Sequence, residues 1–151
     1  MIRRAGVSIV AAVLIFSQAG CDNPTGPQSD LKAARARWVS HAPAGYSYSV
    51  ARSCFCPVEA VGPATVVVRN GIVESRRYTT TGLDIPQQYA HLFPAVEGLF
   101  AQVDSARANG FAALRVTYDS SYGYPTLIKV DVILNAADDE YMYTAKDLVV
   151  R

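Results

Sequence analysis

From residue 29 onward, apolar and polar positions follow two periods. Leu31, Ala34, Trp38 and Val39 fall on one face of a 3.6-residue repeat. Ser29 is placed to cap that helix by accepting a backbone N–H bond, and Pro43 to end it. Tyr46, Tyr48 and Val50 then alternate with Ser47, Ser49 and Ala51, the two-residue period of a half-buried strand. Two β-branched runs, Thr65 to Arg69 and Ile72 to Tyr78, flank Asn70-Gly71, the pair best suited to the positive φ angles of a tight hairpin. A two-residue loop sets Val68 opposite Val73 and Val66 opposite Ser75 on the side expected to be core. Val67 opposite Glu74 and Arg69 opposite Ile72 then take the other side.

After a loop rich in Thr, Gly and Pro, the positions Val96, Leu99, Phe100, Val103 and Ala106 repeat with helical spacing, and Asn109-Gly110 supplies a stop. Three further alternating runs follow. Leu114, Val116 and Tyr118 form the first, Ile128, Val130 and Val132 the second, Tyr141 and Tyr143 the third. The expected fold is α+β: a largely antiparallel six-stranded sheet with two helices packed on one face and the other face partly polar. The order, a helix and three strands occurring twice, also admits a diverged repeat.

The first twenty residues read differently. Arg3 and Arg4 precede an apolar run from Ala5 to Phe16, and the small residues Ala19-Gly20 precede Cys21. A run of about 12 residues is short for a membrane span, which needs roughly 20, so residues 1–20 are read as a signal peptide. SQAGC resembles a bacterial lipobox, with Gln18 standing where an apolar residue is usual. That resemblance implies lipidation of Cys21 as the mature N-terminus. Several acyl chains at about 0.8 kcal/mol per buried methylene make a stable anchor. Residues 21–28, with DNPTGPQ after the cysteine, read as a flexible tether, and 29–151 as a single globular domain.

Composition changes this picture little. With 50% hydrophobic and 18% charged residues among 151, one ordinary core is expected. A net charge of +1 lacks the Lys/Arg-rich stripe of a nucleic-acid groove, so no nucleic-acid partner is expected. No cofactor signature is present. The expected address is exported, periplasmic or at the cell surface, with the membrane as a partner through the N-terminal lipid.

Several local motifs stand out together: Trp38, the YSY at Tyr46 to Tyr48, the CFC at Cys54 to Cys56, the RNG turn, GLF at Gly98 to Phe100, and the block TYDSSYGYPTLIKVDVILNAADDE. On these residues, across nearly the whole mature domain, the sequence resembles an uncharacterised family of bacterial lipoproteins, a domain of unknown function. The resemblance implies no activity.

Cys54 and Cys56 are the most distinctive residues chemically. In an extended segment their side chains share one face, with Cα atoms about 6.6 Å apart. That is near the upper limit for a disulfide, and a local bend would be needed to form one. They compete as a labile redox pair, as two soft metal ligands or as structural residues, buried or bonded. Two thiolates are too few for zinc, and His41 and His91 are isolated in sequence, so the structural reading is favoured. Arg52 shares strand parity with Cys54 and is the obvious local cation for a thiolate.

The acidic run Asp138, Asp139 and Glu140, with Asp119 and Asp131 upstream, has the oxygen ligands of a calcium site but not EF-hand spacing. A solvated turn is the favoured reading there, as for Ser120 to Pro125, where Gly123 permits an unusual φ. The tyrosines of the strands, Tyr46, Tyr48, Tyr118, Tyr141 and Tyr143, have core-facing parity, which favours packing over an exposed binding surface. No catalytic constellation emerges. The expected function is a non-catalytic envelope module binding a protein or small molecule; the alternatives are a thiol–disulfide redox protein and a structural lipoprotein with a bound metal ion.

Overall fold

The structure is a computed structural model that describes residues 27–151, with side chains from Asp30. The leader, Cys21 and most of the tether lie outside the described residues. Helix α1 spans Pro27–His41, β1 Gly45–Ser53, β2 Ala64–Arg69, β3 Ile72–Tyr78, α2 Val96–Ala108, β4 Ala113–Tyr118, β5 Pro125–Asp131 and β6 Tyr141–Val150. Short 3-10 turns at Val58–Ala60 and Gln87–Leu92 interrupt the loops. The six strands form one antiparallel sheet in the order β3-β2-β1-β6-β5-β4. Two three-strand meanders therefore meet along β1 and β6, the first strand of one and the last of the other.

The predicted face of α2 is buried in full: Val96, Leu99, Phe100, Val103 and Ala106. The helix ends as its sequence requires. Gly110 takes φ 64°, and the N–H groups of Gly110 and Phe111 donate to the carbonyls of Arg107 and Ala106, closing a Schellman stop. Helix α1 begins at Pro27, so Ser29 lies inside the helix rather than at its cap; proline's fixed φ suits a first turn. Leu31, Ala34 and Trp38 are buried as expected, but Val39 is 77% exposed. Adjacent helical positions diverge by about 100°, so only one of Trp38 and Val39 can face the sheet. Trp38 takes that place, its ring edge-on to Tyr46 at 5.4 Å and its Nε1 donating to Glu97 Oε1 at 3.0 Å.

The YSY tyrosines tie β1 to the start of α2. Tyr46 Oη accepts the Val96 N–H at 3.1 Å, supplying the partner that no side-chain cap gives the helix, and Tyr48 Oη donates to the Pro94 carbonyl. Burial raises the pKa of both phenols. Tyr143 is also buried, while Tyr118 and Tyr141 are half-buried against the core. Together with Val50, Val66, Val68, Ile128 and Val130 they build the helix-covered side of the sheet. Arg35 joins the helices, reaching Asp104 at 2.7 Å and lying over the Phe100 ring. The other side carries Ser49, Thr65, Lys129, Thr144 and Lys146 in half-buried or exposed positions.

The hairpin turn forms as read, with Asn70 at φ 50° and Gly71 at φ 76°. Val68 pairs with Val73 and Arg69 with Ile72, but the expected pairing of Val66 with Ser75 and Val67 with Glu74 is corrected. Val67 faces Ser75 and Val66 faces Arg76, because Glu74 is the extra residue of a β-bulge. The bulge turns Arg76 toward the core side, where its Nε donates to the Phe93 carbonyl at 2.6 Å. A second bulge, around Asp147 at φ 57°, lies in β6.

Candidate functional site

Strand β1 loses its partner at Ser53, which pairs with Met142 at the start of β6. Beyond it the chain is released from the ladder and bends. The Cys56 N–H donates to the Cys54 carbonyl at 3.0 Å, a one-residue turn with Phe55 at its tip, 83% exposed. This bend brings the two Cα atoms to 5.3 Å, against the 6.6 Å of an extended segment, and Cys54 and Cys56 are disulfide-bonded.

Arg52 lies behind the disulfide. Its Nη1 stands 2.9 Å from Cys54 Sγ and 3.7 Å from Cys56 Sγ. The guanidinium carbon is 5.6 Å from the Tyr141 ring centre and 5.9 Å from that of Tyr143. Burial raises the pKa of both tyrosines, and the Arg52 charge opposes that rise. Arg52 Nε is buried and makes no hydrogen bond among the described residues. The parity of Arg52 with Cys54, read from the strand, thus becomes a contact.

A cavity of about 430 Å³ opens beside the loop. Ser53, Met142 and Lys129 form one row across β1, β6 and β5 and supply its floor. Cys54 and Phe55 from the loop after β1, with Asp138, Glu140 and Tyr141 from the end of the β5–β6 connection and the start of β6, complete its lining. Two features that were separate in sequence, Cys54 with Phe55 of the CFC segment and Asp138 with Glu140 of the acidic run, therefore share one space. Its size falls within the range of about 300–1,000 Å³ usual for ligand pockets.

The other acidic residues go elsewhere. Asp119 Oδ1 accepts the Ser121 and Tyr122 N–H groups at 2.9 and 2.7 Å, fixing the β4–β5 turn. Asp139 Oδ2 accepts the Ile133 N–H at 2.7 Å and closes the β5–β6 loop on itself. No three of His, Cys, Asp and Glu converge among the described residues, so Asp119, Asp138, Asp139 and Glu140 do not form one ligand set. Smaller hollows lie between β4 and α1, around Asp30, Val116 and Tyr118.

Lys129 and Phe55 enter the site without having been singled out from the sequence. The outward parity of Lys129 in β5 was readable; its alignment with Ser53 required the strand order β1-β6-β5. The geometry defines a class first: an α+β domain with one sheet face open and a disulfide-closed loop at the rim of a cavity on that face. A family model described as "Family of unknown function (DUF6174)" matches residues 30–150, and the chain belongs to that family. No curated protein and no solved structure matches it. No described helix is long and apolar enough to cross a membrane.

Proposed function

We propose that this protein is an exported lipoprotein, anchored to a bacterial membrane through Cys21, whose domain binds short peptide segments at the cavity beside the CFC loop. The observation that carries the binding reading is the meeting of Cys54, Phe55, Lys129, Asp138 and Glu140 around one space of ligand size. Carboxylates and an ammonium lining the same cavity suit a ligand bearing both an amine and a carbonyl or carboxylate. Phe55, Tyr141 and Met142 offer apolar contact to its side chains. The disulfide supports export, because such bonds persist in oxidising compartments and are rare in the cytosol.

Two measurements test the two halves. Mass spectrometry of membrane-extracted protein is expected to find the lipid adduct on Cys21; a soluble product cleaved elsewhere, unaltered in fractionation by Cys21→Ser, overturns the anchor. Calorimetric titration with a library of two- to five-residue peptides is expected to give binding that Asp138→Asn with Glu140→Gln weakens by about tenfold, or about 1.4 kcal/mol. Binding unchanged by the double substitution, or none from any peptide, overturns the site.

A further inference from the structure

We infer that the Cys54–Cys56 disulfide is an exchange site for partners bearing two thiols, in which Cys56 is the sulfur attacked and Cys54 the leaving thiolate held by Arg52. This activity goes beyond peptide binding and does not depend on it. The asymmetry of Arg52 is the starting point: 2.9 Å to one sulfur, 3.7 Å to the other. In thiol–disulfide exchange, the sulfur whose thiolate is better stabilised leaves faster. A neighbouring arginine supplies that stabilisation.

The charges facing the pair agree. Asp138 and Glu140 of the cavity lining oppose a thiolate at Cys54, whereas Lys129 favours it. Tyr141 and Tyr143 hold neutral rings against the guanidinium. Coulomb interaction falls with distance, so the cation in contact with Cys54 outweighs the cavity carboxylates. Access is provided by the loop itself: both cysteines are only half-buried, with the cavity beside Cys54.

The step balances without a further reagent. A partner thiolate attacks Cys56 Sγ, the Cys54–Cys56 bond breaks, and its electron pair passes to Cys54 Sγ. The mixed disulfide then joins Cys56 to the partner. The partner's second thiolate attacks the partner sulfur of that bond and releases Cys56. The partner leaves with its own disulfide, oxidised by two electrons; Cys54 and Cys56 hold those electrons, and the two protons lost by the partner balance the two dithiol protons.

Single-cysteine variants test the assignment. Cys56→Ser leaves Cys54 alone, and Cys54→Ser leaves Cys56 alone. Each is reacted with dithiobis(nitrobenzoate) between about pH 5 and 9, a range that covers perturbed thiols. Cys54 is expected to react with a midpoint at least about one pH unit below that of Cys56, a difference that Arg52→Met removes and Arg52→Lys retains in part. In the oxidised protein, Arg52→Met is expected to slow oxidation of a reduced two-cysteine peptide by about tenfold, with Arg52→Lys between it and wild type. Circular dichroism melts establish that the variants are folded, and Arg52→Lys carries the comparison if Arg52→Met is not. Equal midpoints for the two cysteines, a lower one for Cys56, or peptide oxidation that does not respond to Arg52 would overturn the proposal.

Discussion

Replacing Gly123 by alanine is the sharpest perturbation this fold offers. Gly123 sits in the β4–β5 turn at φ 85°, and a Cβ there would lie 2.3 Å from the Ala34 carbonyl oxygen and 3.0 Å from Arg37 Cβ. Both neighbours belong to α1. Gly71 supplies the control, since its φ is 76° and nothing lies within 4 Å of its Cβ position. Each substitution forces an L-residue into the left-handed region at about 1–2 kcal/mol. Only Gly123→Ala also meets helical backbone, which cannot yield without carrying α1 away from the sheet. Leu31, Ala34 and Trp38 are buried beneath that helix, and partial loss of their packing adds about 2–3 kcal/mol. The expected total is about 3–5 kcal/mol against about 1–2 for Gly71→Ala. At about 3–5 °C per kcal/mol for a domain of this size, the melting midpoint falls by about 10–20 °C in one variant and by about 5 °C in the other. Thermal unfolding followed by far-ultraviolet circular dichroism, with urea titration alongside, measures both. Midpoints agreeing within about 3 °C, the resolution at which about 1 kcal/mol disappears, would refute the packing argument.

Deleting Glu74 removes the extra residue of the β3 bulge and restores a regular hairpin with every other pairing kept. It is expected to cost under about 1 kcal/mol in urea unfolding, mainly the exposed pair with Arg69. Replacing Cys54 and Cys56 together by serine removes a three-residue loop closure and is expected to lower stability by about 1.5 kcal/mol on the chain-entropy estimate; an unchanged urea midpoint would contradict it. Tyr46 and Tyr48 have pKa values raised by burial, so above pH 10 the folded state keeps protons that the unfolded state loses. Stability should thus be retained below about pH 10 and fall above it by up to about 1.4 kcal/mol per pH unit for each tyrosine, less steeply in Tyr48→Phe.

What the sequence made legible was local. The buried face of α2, its Asn109-Gly110 stop and the Asn70-Gly71 turn each rest on contacts within a few residues, and each stands in the structure where the pattern placed it. Val39 and the Glu74 bulge were not legible, because each depends on a partner: Trp38 competing for the same face, and β2 pairing past an inserted residue. Gly123 was readable as a turn glycine, whereas the approach of Ala34 to it was not. The candidate site divides in the same way. Arg52 lies near the end of β1 and the two cysteines follow within four residues, so the approach of Arg52 to Cys54 was readable from strand parity, whereas the bend that bonds Cys54 to Cys56 was not. Asp138, Glu140 and Lys129 join them only because β6 lies between β1 and β5, a long-range pairing that no local pattern specifies.

Ligand binding is proposed at the CFC cavity. Amide chemical shifts of the oxidised domain, recorded while the short-peptide library is added, test it most directly. The prediction is a single cluster of shifted resonances at Ser53 to Phe55, Lys129, Asp138 and Glu140 to Met142, the residues around one cavity. A cluster at the hollows between β4 and α1, around Asp30, Val116 and Tyr118, or shifts spread evenly over the domain, would contradict it.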